Sequence, residues 1–176
     1  MASDRALLVA AGGGIGDTLL AGVVARALRA RFVAVDAVVL PAHAALASHV
    51  PCIETVLPLG ARLSARYDAA VVTWATARTA LVPWLARIPV RAGQARRPYS
   101  FLFTHRVVVR SELGDRTTHW TQILLDYARA VGCDTASAAP QFTVRDDERQ
   151  AAQRLLRVHD VDAAYHVLHP TRGLSV

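Results

Sequence analysis

Residues Leu8–Leu20 read LVAAGGGIGDTLL: a short apolar run, four glycines within five residues, and an aspartate that opens an amphipathic run. The apolar run predicts a buried strand over Ala6–Ala11, and the glycines predict a loop. From Asp17 onward Leu19, Leu20, Val23, Val24, Ala27 and Leu28 recur at helical spacing, with Arg26 and Arg29 opposite them. The unit is strand, loop, helix. Whether the loop cradles a nucleotide or presents Asp17 for other chemistry separates two classes of protein.

Working outward, Val33–Leu40 is a second apolar strand stopped by Pro41, and a short alanine-rich helix follows to about Val50. Ile53–Leu57 reads as a third strand and Tyr67–Trp74 as a fourth. The fourth leads into a helix through Leu85 that Pro83 bends or starts anew. Val90–Ala92 is a brief strand ahead of the basic loop GQARRPYSFLFTHR, Val107–Arg110 is another strand, and Thr118–Val131 is a helix ended by Gly132. Short strands alternating with helices imply βαβ units: an α/β, Rossmann-like, mostly parallel sheet with helices on both faces. Ligands of such sheets sit at the carboxyl ends of the strands, which is where Gly12–Asp17 must lie. Asp146–Val158 is a charged helix with DDE in its first turn, as the helix dipole favours. After the polar joint HDVDAA, Tyr165–Leu168 reads as a new strand running into HPTRG, the opening of a second domain.

The 176 residues suffice for one domain with a real core, and the 53% hydrophobic content contains no low-complexity tract. Cys52 and Cys133 are isolated, which suggests reduced thiols rather than a disulfide framework or a metal half-site. The start MASDRALLVAAGGG is too short in its apolar part for a signal peptide core, and no run reaches the length of a membrane span. The net charge is +6, and every basic residue is arginine. That bias fits a GC-rich coding sequence. It also suits an anionic partner, because arginine is the better fork for phosphate and carboxylate. Nucleic acid is disfavoured: the arginines are scattered, with no aromatic-interleaved basic stripe.

The dinucleotide fingerprint fails in strict form, because Asp17 stands where the last glycine is required. A relaxed version runs through Ala11, Gly13 and Gly16, with Asp36 as the acidic partner. Asp36 falls early in the second strand, whereas a ribose ligand belongs at its carboxyl end, and Asp17 would repel a pyrophosphate. The P-loop is excluded because the chain has no lysine. An aspartate at a helix start is held ionised by free amides and dipole, and facing a cleft it can take a proton from a substrate hydroxyl. It is also a common helix cap, and position alone leaves both uses open. Asp160 and Asp162 form a DVD that suits a solvated linker better than a metal site. His166 and His169, three apart on a strand, face opposite sides.

Taken together, GGIGDTLLAGVVARAL (13–28), YDAAVVTWATARTALVPWLARIPVRAG (67–93) and THWTQILLDYARAVG (118–132) resemble, in order, the heptosyltransferase-like glycosyltransferases of lipopolysaccharide core synthesis. The closing YHVLHP looks like the first strand of that family's second domain. The resemblance implies the N-terminal half of a GT-B architecture: residues 1–158 as the acceptor-side Rossmann-like domain, and 159–176 as a linker and first strand of the nucleotide-sugar domain. It implies inverting transfer of a heptose or related sugar from a nucleotide-sugar such as ADP-heptose, with no cofactor or metal, to an anionic glycolipid or sugar acceptor. Asp17 matches the general base. Gly14, Gly16, Thr18, Arg62, Arg91, Arg96, Arg97 and His119 are the candidate acceptor-binding residues; the plain alternative for each arginine is a solvated surface charge. Because the basic loop leaves a strand's carboxyl end, Arg91, Arg96 and Arg97 are expected on the same side as Gly16. The implied setting is cytoplasmic, with peripheral contact at the inner membrane, and half an enzyme is expected to be inactive alone.

Three positions depart from the family pattern: Val23 replaces a proline, Thr73 an acidic residue, and HPT at His169–Thr171 an expected HPG. The first two suggest a divergent member whose acceptor differs from the inner core, and the third suggests a chain that carries only the acceptor half. The competing reading is a non-catalytic Rossmann-like module that binds a nucleotide or a phosphorylated ligand. A structural subunit that pairs with a separate donor domain is a third.

Overall fold

The computed structural model describes residues 4–161 and 164–168. They contain a six-stranded sheet in which every pairing is parallel, in the order β3-β2-β1-β4-β5-β6. The strands are β1 Arg5–Ala10, β2 Ala34–Val39, β3 Thr55–Pro58, β4 Ala69–Val72, β5 Val90–Gln94 and β6 His105–Val107. The helices are α1 Ile15–Leu20, α2 Gly22–Arg29, α3 Ala44–Ala47, α4 Ala77–Leu85, α5 Trp120–Arg129 and α6 Asp146–Val158.

The central strands β1, β2 and β4 are apolar throughout apart from Arg5 and Asp36, because a parallel strand with helices on both faces has no solvent side. Alternation divides each strand between two cores. Ala6, Leu8 and Ala10 of β1 join Val24, Leu28, Leu124 and Tyr127 of α2 and α5; Leu7 and Val9 join Ala80 of α4, Ile88 and Phe103. Chain order reverses between β1 and β4: successive strands run outward from β1 to β3 on one side and from β4 to β6 on the other. That reversal leaves a crevice at their carboxyl ends.

Several elements differ from the sequence reading. The first helix is two segments joined at Ala21, whose ψ of −14° turns one hydrogen bond into a tighter step from Val24 N–H to the Ala21 carbonyl (2.9 Å). Glycine at 22, a poor helix former, follows that joint. Pro83 does not interrupt α4; it lies in the last turn, two residues before the helix ends, and its missing N–H leaves the Thr79 carbonyl without its helical donor. The start of α4 is capped reciprocally: the Thr76 hydroxyl accepts from Thr79 N–H (3.2 Å), and the Thr79 hydroxyl accepts from Thr76 N–H (2.8 Å). The last strand is His105–Val107 rather than Val107–Arg110. An edge strand is fixed by backbone pairing to β5, so polar residues such as His105 and Arg106 serve in it and the apolar run does not mark it.

The chain divides at Phe142/Thr143 into two compact units, so α6, expected with the first domain, groups with the residues C-terminal to it. The expected strand Tyr165–Leu168 is absent: these residues are irregular and exposed. A strand exists only where a neighbour takes its N–H and C=O groups, and none of the described residues does so here. Asp162, His169 and the HPTRG stretch lie outside the described residues. Among those described, no helix is long and apolar enough to cross a membrane, and no cluster of potential metal ligands occurs.

Candidate active site

The crevice between β1 and β4 is walled by the glycine loop on one side and by Thr73–Thr76 on the other. The two backbones touch. A Cβ on Gly12 would stand 1.7 Å from the Trp74 carbonyl oxygen, so no other residue fits there without moving the loop. A Cβ on Gly13 would stand 2.3 Å from Asp17 Oδ2. The first glycines therefore let the loop close on β4 and leave room for the Asp17 carboxylate, while Gly14 and Gly16 are exposed.

Asp17 is the third residue of α1 and folds back over the loop, where its Oδ2 accepts a hydrogen bond from Gly14 N–H (2.7 Å). That bond holds the helix start as a capping-box carboxylate does. Oδ1 receives no hydrogen bond from the described residues, and the side chain is only half-buried. One carboxylate oxygen is anchored and the other is open, an arrangement suited to accepting a proton.

Thr18 has the opposite environment. At 3% exposure its hydroxyl is engaged inside, 2.9 Å from His43 Nδ1 and near the carbonyls of Gly14 and Ala10 (3.3 and 3.4 Å). It braces the turn instead of facing a ligand. His43, in the short 3₁₀ turn Pro41–His43 after β2, carried no sequence signal for this role.

Beside the glycine loop lies a cavity of about 240 Å³ lined by Trp74, Gln94, Arg97, Glu112, Trp120 and Tyr127, among others. Trp74 connects it to the loop, because its backbone meets Gly12 and its side chain lines the cavity. Its φ of +46° is a left-handed conformation rare for a bulky residue and found preferentially at functional sites. Glu112 Oε1 accepts from Arg97 Nη2 (2.7 Å) and from Gln94 Nε2 (2.9 Å). Burial, assisted by the Glu112 charge, pushes the Tyr127 hydroxyl up to about 12, so it stays protonated and can donate. The Tyr99 hydroxyl donates to the Ala75 carbonyl and ties the loop after β5 to the loop after β4. Two tryptophans, a tyrosine and an Arg–Glu pair give the cavity an apolar face ringed by polar groups.

The remaining sequence candidates separate. Arg97 reaches the cavity; Arg96 beside it is exposed, with φ of +56°. Arg62 is exposed in the loop after β3. Arg91 is not with them: it pairs with Ala70 near the amino end of β5, and its guanidinium donates to the carbonyls of Ile88 (2.5 Å) and Leu102 (2.8 Å). The expectation grouped Arg91 with the loop that leaves the carboxyl end of the strand, but Arg91 is the second residue of β5, and its guanidinium turns back to carbonyls at the amino end. His119 is the N-cap of α5, its Nδ1 accepting from Thr121 N–H (3.3 Å). The loop ahead of it is wound around Asp115, which accepts from Thr118 Oγ1 (2.5 Å), Thr118 N–H (3.0 Å) and Thr117 N–H (2.9 Å); these bonds hold its carboxyl well below the usual range.

Solved structures share this fold. The chain superposes on the crystal structure of the glycosyl transferase family 9 from Veillonella parvula DSM 2008 with a TM-score of 0.73 and 16% identity, over 89% of this chain and 49% of that one. E. coli ADP-heptose lps heptosyltransferase II gives 0.64 and 19%, over 86% and 50%. E. coli heptosyltransferase WaaC with ADP gives 0.61 and 20%, over 78% and 50%. The fold is that of one half of a GT-B glycosyltransferase. At these identities the likeness is one of fold, and the chain spans about half the length of each of these proteins. No family model and no curated protein matches the sequence.

Proposed function

We propose that this chain is the acceptor-side half of an inverting glycosyltransferase that acts on a phosphorylated or carboxylated glycolipid sugar, with a nucleotide-sugar such as ADP-heptose as donor. The observation that carries the reading is the seating of Asp17, with Oδ2 held by Gly14 N–H and Oδ1 open at the crevice where the strand order reverses. In the reaction, Oδ1 takes the proton of an acceptor hydroxyl as that oxygen attacks the anomeric carbon. The bond from that carbon to the diphosphate breaks, the nucleotide leaves with the electron pair, and the configuration inverts. Trp74 and Trp120 supply faces on which an acceptor ring stacks. Arg97, Arg96 and Arg62 supply cations for its anionic groups, and no metal is needed for these steps. Donor binding belongs to a second half, in keeping with the half-length match to solved glycosyltransferases.

Calorimetric titration of the purified chain separates this from a nucleotide-binding module. An anionic inner-core saccharide is expected to bind, while ADP and NAD release no heat. In an enzyme that has this half as its acceptor side, Asp17→Asn lowers transfer by about 10²-fold while the melting temperature stays put. Binding of ADP or NAD without binding of the saccharide would assign the chain to the competing class. Wild-type transfer by a folded Asp17→Asn enzyme would reduce Asp17 to a cap.

A further inference from the structure

One face of α5 lines the cavity beside the glycine loop: Trp120, Ile123, Leu124 and Tyr127 follow one another at helical spacing and all border it. Trp120 is 50% exposed, while Tyr127, two turns along, is 3% exposed. The Tyr127 hydroxyl has no hydrogen-bond partner among the described residues, and it is not sealed within the protein, so it opens on the cavity. A buried hydroxyl without a partner is costly, and phenylalanine would fill the same space without that cost. The charge that acts on this hydroxyl most strongly is Glu112, followed by Arg97. Glu112 is itself only half satisfied. Arg97 Nη2 and Gln94 Nε2 both donate to its Oε1, and Oε2 receives no hydrogen bond from the described residues. One free donor and one free acceptor thus face a cavity that Trp74 and Trp120 also line.

We propose that Tyr127 and Glu112 are specificity residues that read a hydroxyl group on the acceptor's sugar ring. The ring hydroxyl accepts from the Tyr127 hydroxyl and donates to Glu112 Oε2. Such a pair selects a group that both gives and takes a hydrogen bond. A carboxylate or phosphate oxygen only accepts and is repelled by Oε2; an ammonium only donates and leaves the Tyr127 proton without an acceptor. The indoles complete the fit, because the apolar side of a sugar ring covers an aromatic face while its hydroxyls reach polar groups at the edge. At about 240 Å³ the cavity is smaller than the roughly 300–1,000 Å³ that encloses a drug-sized ligand, so it takes one ring rather than a whole saccharide. Arg97 keeps N–H groups beyond those it gives to Glu112 and to the Arg96 carbonyl, so an acidic substituent and a hydroxyl of the same ring are read together. The inference rests on the acceptor reading and adds to it the neutral group that is selected.

Calorimetric titration of the purified chain with an anionic inner-core saccharide tests it, at low salt and again at about 0.5 M salt, where attraction between exposed charges is screened. Tyr127→Phe should weaken binding about tenfold at both salt concentrations, as expected for losing a hydrogen bond that carries no net charge. Its melting temperature should equal or exceed that of wild type, because the fold loses no hydrogen bond. Glu112→Gln should weaken binding about fivefold at high salt, since an amide oxygen accepts less strongly than a carboxylate. Circular dichroism checks that both variants fold. If wild type binds the saccharide and the folded variants bind it equally well, the inference is overturned and the acceptor reading stands; if wild type binds none, both are overturned. Tyr127→Phe melting more than about 3 °C below wild type would show that the hydroxyl serves the fold, which also overturns the inference. So would tighter binding by Glu112→Gln at high salt, because the cavity would then be taking an anion where a hydroxyl is expected.

Discussion

Asp36 and Asp17 occupy opposite ends of the same sheet and live under opposite rules. Asp36, aligned with Leu7 in the β1–β2 ladder, is 2% exposed; Arg5 Nη2 reaches both of its oxygens (3.0 Å each) and the Tyr67 hydroxyl donates to Oδ2 (2.7 Å). Burial, then the hydrogen bond to Asp36, pushes the Tyr67 hydroxyl well above its usual range, so it remains a donor. Asp17, past the carboxyl end of β1, has one oxygen anchored to a loop amide and one oxygen open. The amino-end aspartate uses its charge to hold strands together; the carboxyl-end aspartate keeps part of its charge available. A carboxylate is a functional candidate when its partners leave it something to do, and the same count explains why Asp36 could not serve as a ribose ligand.

The largest effect that tests this contrast is on stability at the amino end. Asp36→Ala should cost about 3 kcal/mol and roughly 6–12 °C of melting temperature, because it leaves the Arg5 guanidinium and the Tyr67 hydroxyl without their shared acceptor. A loss below about 1 kcal/mol in urea unfolding would mean that the cluster holds little. Next in size is the glycine loop. Gly12→Ala should destabilise by about 2 kcal/mol, since the Trp74 backbone cannot retreat from a new Cβ. Gly16→Ala, in α1 with nothing within 4 Å, should instead stabilise by about 0.5 kcal/mol. Equal effects at the two positions would show that the loop is not clamped against β4.

A smaller effect, of about 1 kcal/mol, belongs to Asp126. Burial pushes its carboxyl up, but the hydrogen bonds from Arg110 (2.6 and 2.7 Å) and Arg129 (3.1 Å) outweigh burial and leave it lowered. A carboxyl that ionises more readily in the folded than in the unfolded chain adds stability above the ordinary carboxylate range. That contribution should be lost as pH falls from about 5 through the lowered value, and Arg110→Gln should flatten that part of the urea-midpoint profile. The smallest expected change is Asp17→Asn. Asparagine caps helices well and α1 is short, so stability should move by less than about 0.5 kcal/mol. A larger loss would make Asp17 as structural as Asp36 and erase the contrast.

Legibility followed the range of the forces. The apolar runs that became β1, β2 and β4 were plain, because strands buried on both faces must be apolar throughout. The glycine loop and Asp17 were plain because a local turn needs local residues. The cavity was not: Trp74, Arg97, Glu112, Trp120 and Tyr127 meet only because β4, β5 and α5 converge at one end of the sheet. Arg91 was misplaced for a related reason: the strand that holds it was legible, but the carbonyls of Ile88 and Leu102 that draw its guanidinium to the amino end are brought there by the fold. Tyr165–Leu168 had a strand's composition and, among the described residues, no strand to pair with.

The sequence by itself determined an α/β chain of alternating buried strands and amphipathic helices, opened by a glycine loop that ends in Asp17, because hydrophobic periodicity and turn chemistry act within about ten residues. It also determined that arginine rather than lysine carries the positive charge, and it held the ordered segments by which the chain resembles heptosyltransferase-like glycosyltransferases. Only the tertiary structure decided which of two aspartates is spent and which is open, that Thr18 turns inward to His43 while Arg97 turns to Glu112, and that Arg91 joins Trp84 at the far end of the sheet. Those outcomes depend on which partner each polar group meets when distant strands come into register, and hydrogen bonds of about 3 Å are settled by that meeting alone.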